Sequence, residues 1–136
     1  GRSASDGRGS RAVRRAGVVV ALVAVLAAGA CGGGDFVPIR VVPGGSASVG
    51  KELITRMGCG SCHEIPGIKG ADGLVGPPLT RFGRRQIIAG QLGNTPENLM
   101  RWLMDPKGVE PGTDMPDLGI TPDQARDIAT YLEQLG

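Results

Sequence analysis

Toward the C-terminus the apolar positions recur at a helical interval. Ala125, Ile128, Ala129, Leu132 and Leu135 follow an i, i+3, i+4, i+7, i+10 stripe with polar side chains between them. Thr121-Pro122-Asp123-Gln124 has the capping-box form, so the pattern predicts a helix from Thr121 to about Leu135. A second stripe, Leu99, Met100, Leu103 and Met104, follows Thr95 as cap and Pro96 as first helical residue, and Asp105-Pro106 stops it. Leu53, Ile54 and Met57 share one face of a short helix predicted over Gly50–Met57. A shorter helix is expected near Arg84–Ala89, and Tyr131 is expected to meet the first helix at Gly50, where no side chain stands in the way. The expectation is an all-α domain of three to four short helices, each marginal without tertiary contacts.

A different pattern precedes the domain. Arg2, Arg8, Arg11, Arg14 and Arg15 form a basic stretch with one acid, Asp6, and an unbroken apolar run of Ala, Val, Leu and two Gly extends from Ala16 to Ala30. Fifteen residues at ~1.5 Å rise reach only ~22 Å, short of a ~30 Å hydrocarbon core. Residues 1–30 read as an export signal or membrane anchor, and because the first residue is Gly, its start is expected upstream. Cys31 follows Ala28-Gly29-Ala30, which resembles a lipoprotein lipidation site, although Ala28 stands where Leu is usual. Lipidation at Cys31, an uncleaved membrane helix and a plain cleaved signal are the three readings. All three export the domain, and the first two tether it. Charge bias places the C-terminal part on the outer, periplasmic face of a bacterial cytoplasmic membrane. Residues 31–48, rich in Gly, Pro and Ser, read as that cysteine plus a flexible linker, and 49–136 as the domain.

Composition sharpens this division. The net charge of +2 comes from 15 basic and 13 acidic groups, but five of the basic ones lie in the first 15 residues. From Cys31 onward 10 basic face 12 acidic groups, so the basicity belongs to the export segment and no nucleic-acid partner is indicated. One small domain fits 136 residues; a large multidomain enzyme or a long βαβ series does not. Only Phe36, Phe82, Trp102 and Tyr131 are aromatic, so something other than side chains is expected to fill the core.

The chemistry is carried by Cys59-Gly60-Ser61-Cys62-His63. Two thiols three positions apart can each add across a haem vinyl group, and the adjacent imidazole of His63 then lies below the iron; C-x-x-C-H is the c-type haem attachment pattern. A zinc site would need more ligands than one His and one cysteine pair supply. A thioredoxin-like redox pair would need a βαβ setting, and a structural disulfide is the remaining plain reading. One motif implies one covalent haem. His63 is the only histidine, so a protein sixth ligand is Met or Lys. Met57 is tethered too close to Cys59, and Met100 and Met104 sit at core spacing on a helix. Met115, in Glu110-Pro111-Gly112-Thr113-Asp114-Met115-Pro116, is the candidate distal ligand, with a packing role as the alternative.

From Gly50 to Gly136 the chain resembles a class I c-type cytochrome, most similar to the cytochrome c domain fused to subunit II of bacterial haem-copper oxidases. The resemblance rests on the haem motif, Gly76-Pro77-Pro78-Leu79, Phe82-Gly83-Arg84, Asn94-Thr95-Pro96-Glu97-Asn98-Leu99, Pro111 to Pro116, and Ile128-Ala129-Thr130-Tyr131-Leu132. Pro78 departs from the usual Asp or Asn, and Ile54 from a common Phe. No counterpart of the copper-binding domain is present in these residues, so the resemblance implies electron transfer rather than oxidase membership. It implies the cytochrome c fold around one haem. It also implies that the Pro77 carbonyl accepts a hydrogen bond from His63 Nδ1, or merely stiffens a loop. Arg84 is implied at a haem propionate, with Arg85 or a solvated arginine as alternatives. Trp102 is implied against the haem, or as an ordinary core residue. The function implied is a single-electron carrier, tethered or a fixed subunit, between a quinol-oxidising or photosynthetic complex and a terminal oxidase or reductase. The contrasting class is a haem enzyme or gas sensor with a displaceable sixth ligand.

Overall fold

The computed structural model describes Gly1 and residues 40–136. The chain divides into two units, Gly1–Phe36 and Val37–Gly136, and the second holds every helix and strand of the described residues. The basic stretch, the apolar run, Cys31 and the linker up to residue 39 lie outside the described residues. Among the described residues no helix is long and apolar enough to cross a membrane.

Helix α1 spans Ala47–Arg56 and begins three residues earlier than the apolar pattern indicates. Ser46 is its cap: the side-chain oxygen accepts from Val49 N, and Ser46 N donates to Asp127 Oδ1 at 2.8 Å. The Ser-Ala-Ser run that reads as linker is therefore a helix start. Arg40 and Val42 extend the folded body further still. Val42 is 6% exposed in the core, and Arg40 donates to carbonyls of residues 83 and 85. The expected linker to residue 48 thus ends before Arg40, because a buried valine and a forked arginine outweigh local Gly and Pro content.

Helices α2 (Pro96–Met104), α3 (Pro106–Val109) and α4 (Pro122–Glu133) each start on a proline behind a capping side chain. Thr95 accepts from Asn98 N, Asp105 from Gly108 N, and Thr121 and Gln124 form a reciprocal capping box. Helix α4 buries Ala125, Ile128, Ala129, Leu132 and Glu133, and both α1 and α2 pack on it. At the α1–α4 crossing a Cβ on Gly50 would lie 2.0 Å from Asp127 O, so the two backbones touch only because residue 50 is glycine. The backbone that meets Gly50 is that of Asp127 and Ile128, ahead of Tyr131. Tyr131 lies one turn beyond the crossing, and its hydroxyl donates to Pro66 O at 2.6 Å, pinning the loop after the haem motif.

The expected helix near Arg84–Ala89 is absent. A 3-10 turn over Phe82–Arg84 leads into a small antiparallel hairpin, β1 (Ile87–Ile88) and β2 (Leu92–Gly93), with Ile87 opposite Gly93 and Ile88 opposite Leu92. Ala89 and Gly90 both have positive φ (49° and 71°) at the turn, a conformation that closes hairpins and ends helices. The fold remains mainly helical, as expected for the cytochrome c architecture.

Candidate haem site

Gly58, at φ 72°, ends α1 and starts a 3-10 turn over Cys59–Ser61. The turn brings Cys59 and Cys62 onto one wall of a cavity of about 400 Å³, both as free thiols and both half-buried. Burial pushes the Cys59 thiol above its ordinary pKa. His63, whose N–H donates to Cys59 O at 3.1 Å, lines the same cavity. Its Nδ1 lies 2.8 Å from Pro77 O. A carbonyl can only accept, so Nδ1 carries the proton and Nε2 keeps its lone pair for a metal. The ring packs closely on the chain at Gly76, where a Cβ would stand 2.3 Å from Cε1 and 2.6 Å from Nδ1.

Met115 also lines the cavity, held by the bond from its N–H to Thr113 Oγ1 at 3.1 Å. Lys107 Nζ donates to Thr113 O at 2.9 Å. Gln91 Nε2 donates to Val109 O at 2.8 Å, tying the hairpin to the start of this loop. Of the other methionines, Met57 reaches the cavity wall, whereas Met100 and Met104 pack against the helical core. Trp102 lines the cavity from α2.

Arg84 does not line the cavity; it is exposed and faces an outer polar groove with Thr80, Arg81 and Arg85. Arg85 lines both the groove and the cavity. At three residues per 3-10 turn, positions 82 and 85 share a face, so the residue aligned with buried Phe82 is Arg85. Its guanidinium sits 5.3 Å from the Phe82 ring centroid, donates to Pro78 O, and has its pKa lowered by burial. Asn94 and Arg40 hold the same segment from behind.

The remaining wall is apolar, built from Ile54, Leu99, Leu103, Ile128 and Leu132 among others. Two thiols, an imidazole with a free Nε2, the thioethers of Met57 and Met115 and one guanidinium on one apolar cavity form a donor set that fits a covalent haem. Residues 47–136 match the family model for cytochrome c. The chain belongs to the cytochrome c family. It is a haem-binding electron-transfer domain of the class I type.

Relatives of this cytochrome include cytochrome c oxidase subunit 2 of Alkalihalophilus pseudofirmus, 39% identical over 70 residues. The match covers 52% of this chain and 20% of that protein. Subunit 2 from Bacillus sp. strain PS3 is 35% identical over 88 residues, covering 62% of this chain and 25% of the relative. A cytochrome c homolog of Bradyrhizobium diazoefficiens is 33% identical over 104 residues, covering 66% of this chain and 55% of the relative. The chain therefore spans a fifth to a quarter of the oxidase subunits it matches. No solved structure matches it at significant similarity.

Proposed function

We propose that this cytochrome is a monohaem electron carrier whose iron His63 and Met115 would hold. Cys59 and Cys62 would form the thioether bonds. The observation that carries the reading is the shared cavity: both thiols, His63 with its Nδ1 pinned to Pro77 O, and Met115 all line it. Haem bound there supplies a one-electron iron couple. Pro77 orients the imidazole and raises its basicity. Thr113 and Lys107 hold the loop that presents Met115, and Arg85 offers a positive charge to a propionate. Ser61, Val75, Pro116 and Leu118 are exposed at the cavity rim and form the surface on which a redox partner docks.

The domain works outside the cytoplasmic membrane, lipidated at Cys31 or held by the N-terminal apolar run. It passes electrons from a quinol-oxidising or photosynthetic complex to a terminal oxidase or reductase, as a carrier or as a fixed subunit. Optical spectra of the haem-loaded ferric protein test the ligand set. A sulfur-to-iron charge-transfer band that disappears in Met115→Ala is expected. A high-spin spectrum with rapid carbon monoxide binding in the unaltered protein would instead favour a haem enzyme or gas sensor. Mass spectrometry of the purified chain tests the tether and counts the haem, by showing a diacylated residue 31 or a persistent N-terminal segment.

A further inference from the structure

Segment 82–85 brings Arg85 to the cavity, and its carbonyls are held by side chains. Arg40 Nη1 donates to Gly83 O at 2.6 Å, and Nη2 donates to Arg85 O at 3.0 Å. Asn94 Nδ2 donates to Phe82 O and Arg85 O, both at 3.2 Å. The rigid guanidinium fork suits two carbonyls that stand two residues apart, a geometry a point-charge ammonium cannot reproduce. Behind it, Arg40 Nη1 meets Glu133 Oε2 at 3.5 Å; the Glu133 side chain is 0% exposed, and its Oε1 has no partner among the described residues. From Arg85 the contacts continue inward. Its guanidinium donates to Pro78 O, and the neighbouring Pro77 O accepts from His63 Nδ1.

We propose that Arg40 is a positioning residue of the haem site. It clamps the backbone of residues 83–85 and thereby fixes Arg85, the Pro77–Pro78 segment and the hydrogen bond that orients His63. A plain buried salt bridge to Glu133 would require only a positive charge at position 40. The fork onto two carbonyls is the part that reaches the ligand. The inference rests on His63 holding the haem iron; a wild-type chain that takes up no haem would defeat that reading, whereas the variants are compared with one another as haem-loaded proteins.

The test follows exchange of the His63 Nδ1 proton by NMR in the reduced, diamagnetic full chain, relative to the Ile128 amide. Arg40→Met combined with Glu133→Gln removes the fork without stranding a buried carboxylate. Arg40→Lys keeps the charge and loses the fork. Val42→Ala loosens the same strap in the core without touching the carbonyls of 83 and 85. Exchange about tenfold faster than wild type, equivalent to about 1.4 kcal/mol, is expected in the double variant. A clear increase is expected in Arg40→Lys and none in Val42→Ala. The double variant should also show a higher midpoint potential, because a slackened Nδ1–H bond makes His63 a less basic ligand. Equal rates in the double variant and Val42→Ala, or full protection in Arg40→Lys, would overturn the proposal. If the double variant fails to take up haem, Arg40→Lys carries the decision alone.

Discussion

Replacing Gly76 by alanine probes the site at its tightest point. The new methyl would stand 2.3 Å from His63 Cε1, 2.6 Å from Nδ1 and 3.0 Å from Nε2, against 3.4–4 Å for ordinary contact. To restore contact the ring or the chain must retreat by about 1 Å, which is enough to stretch the 2.8 Å bond to Pro77 O beyond useful hydrogen-bond length. In the proposed haem-loaded protein the ring would not simply swing aside, because Cys62 is its chain neighbour and its Nε2 would be committed to the metal. Overpacking costs about 1–3 kcal/mol and the lost hydrogen bond about 1 kcal/mol more. For a domain of this size a total of about 2–4 kcal/mol lowers Tm by roughly 10–20 °C. Gly93→Ala is the matched control. It sits on β2 with nothing within 4 Å of the added methyl, so its effect should stay within about 0.5 kcal/mol. Thermal unfolding of both holoproteins, with the reduced-state His63 Nδ1 proton resonance read in parallel, decides the matter. A Gly76→Ala protein with wild-type Tm and an unmoved resonance would refute the reasoning.

Three further outcomes are expected. Without thioether attachment, in Cys59→Ala with Cys62→Ala, the chain should lose most of its helical circular dichroism, since its short helices depend on tertiary contacts; a native-like spectrum would contradict this. Gly50→Ala places a methyl 2.0 Å from the Asp127 carbonyl oxygen, backbone against backbone, and should lower the denaturant midpoint by the equivalent of about 3 kcal/mol. An unchanged midpoint would show that α1 can shift freely on α4. Burial raises the Glu133 pKa, with Arg40 pulling the other way. A carboxyl that binds its proton more tightly in the fold contributes stability fully below the ordinary carboxylate value of ~4.3 and loses it as pH rises through the elevated folded value. Urea unfolding should show that decline in the wild type and not in Glu133→Gln; identical pH profiles would rule it out.

What could be read from the chain and what could not divide along sequence distance. The starts of α2 and α4 are written in four-residue signals, Thr95 with Pro96 and Thr121 with Gln124, because a cap satisfies backbone donors within one turn. The haem motif is equally local, since Cys59, Cys62 and His63 occupy one turn and its exit. The hairpin is signalled only by Gly90, and Ala89 at positive φ carries no such mark. Choosing between Arg84 and Arg85 needs the register of a three-residue 3-10 turn, which composition does not reveal. Arg40 is out of reach altogether: its partners lie 43, 45 and 93 positions away, and around it the chain reads as linker. Asn94 shows the intermediate case. Its motif is visible, but not its two bonds to the segment that carries Arg85.

The scarcity of aromatics is met by a core whose aliphatic side chains also line the cavity. Ile54, Leu99, Ile128 and Leu132, none more than 4% exposed, are packed among α1, α2 and α4 and are also the wall of the cavity. Each therefore presents one side to the helices and another to the haem face. Branched aliphatics at these positions close the helix contacts and leave apolar surface toward the cavity. Of the aromatics among the described residues, Phe82 and Trp102 reach that surface, while Tyr131 directs its hydroxyl to the Pro66 carbonyl. Packing and redox chemistry consequently share side chains. A truncation such as Leu132→Ala would thin the helix core and the haem wall together, so its stability loss and its change in haem environment cannot be separated. Variants at Arg40 and Gly76 act on the hydrogen bonding of His63 instead, which makes them the better probes of ligand positioning.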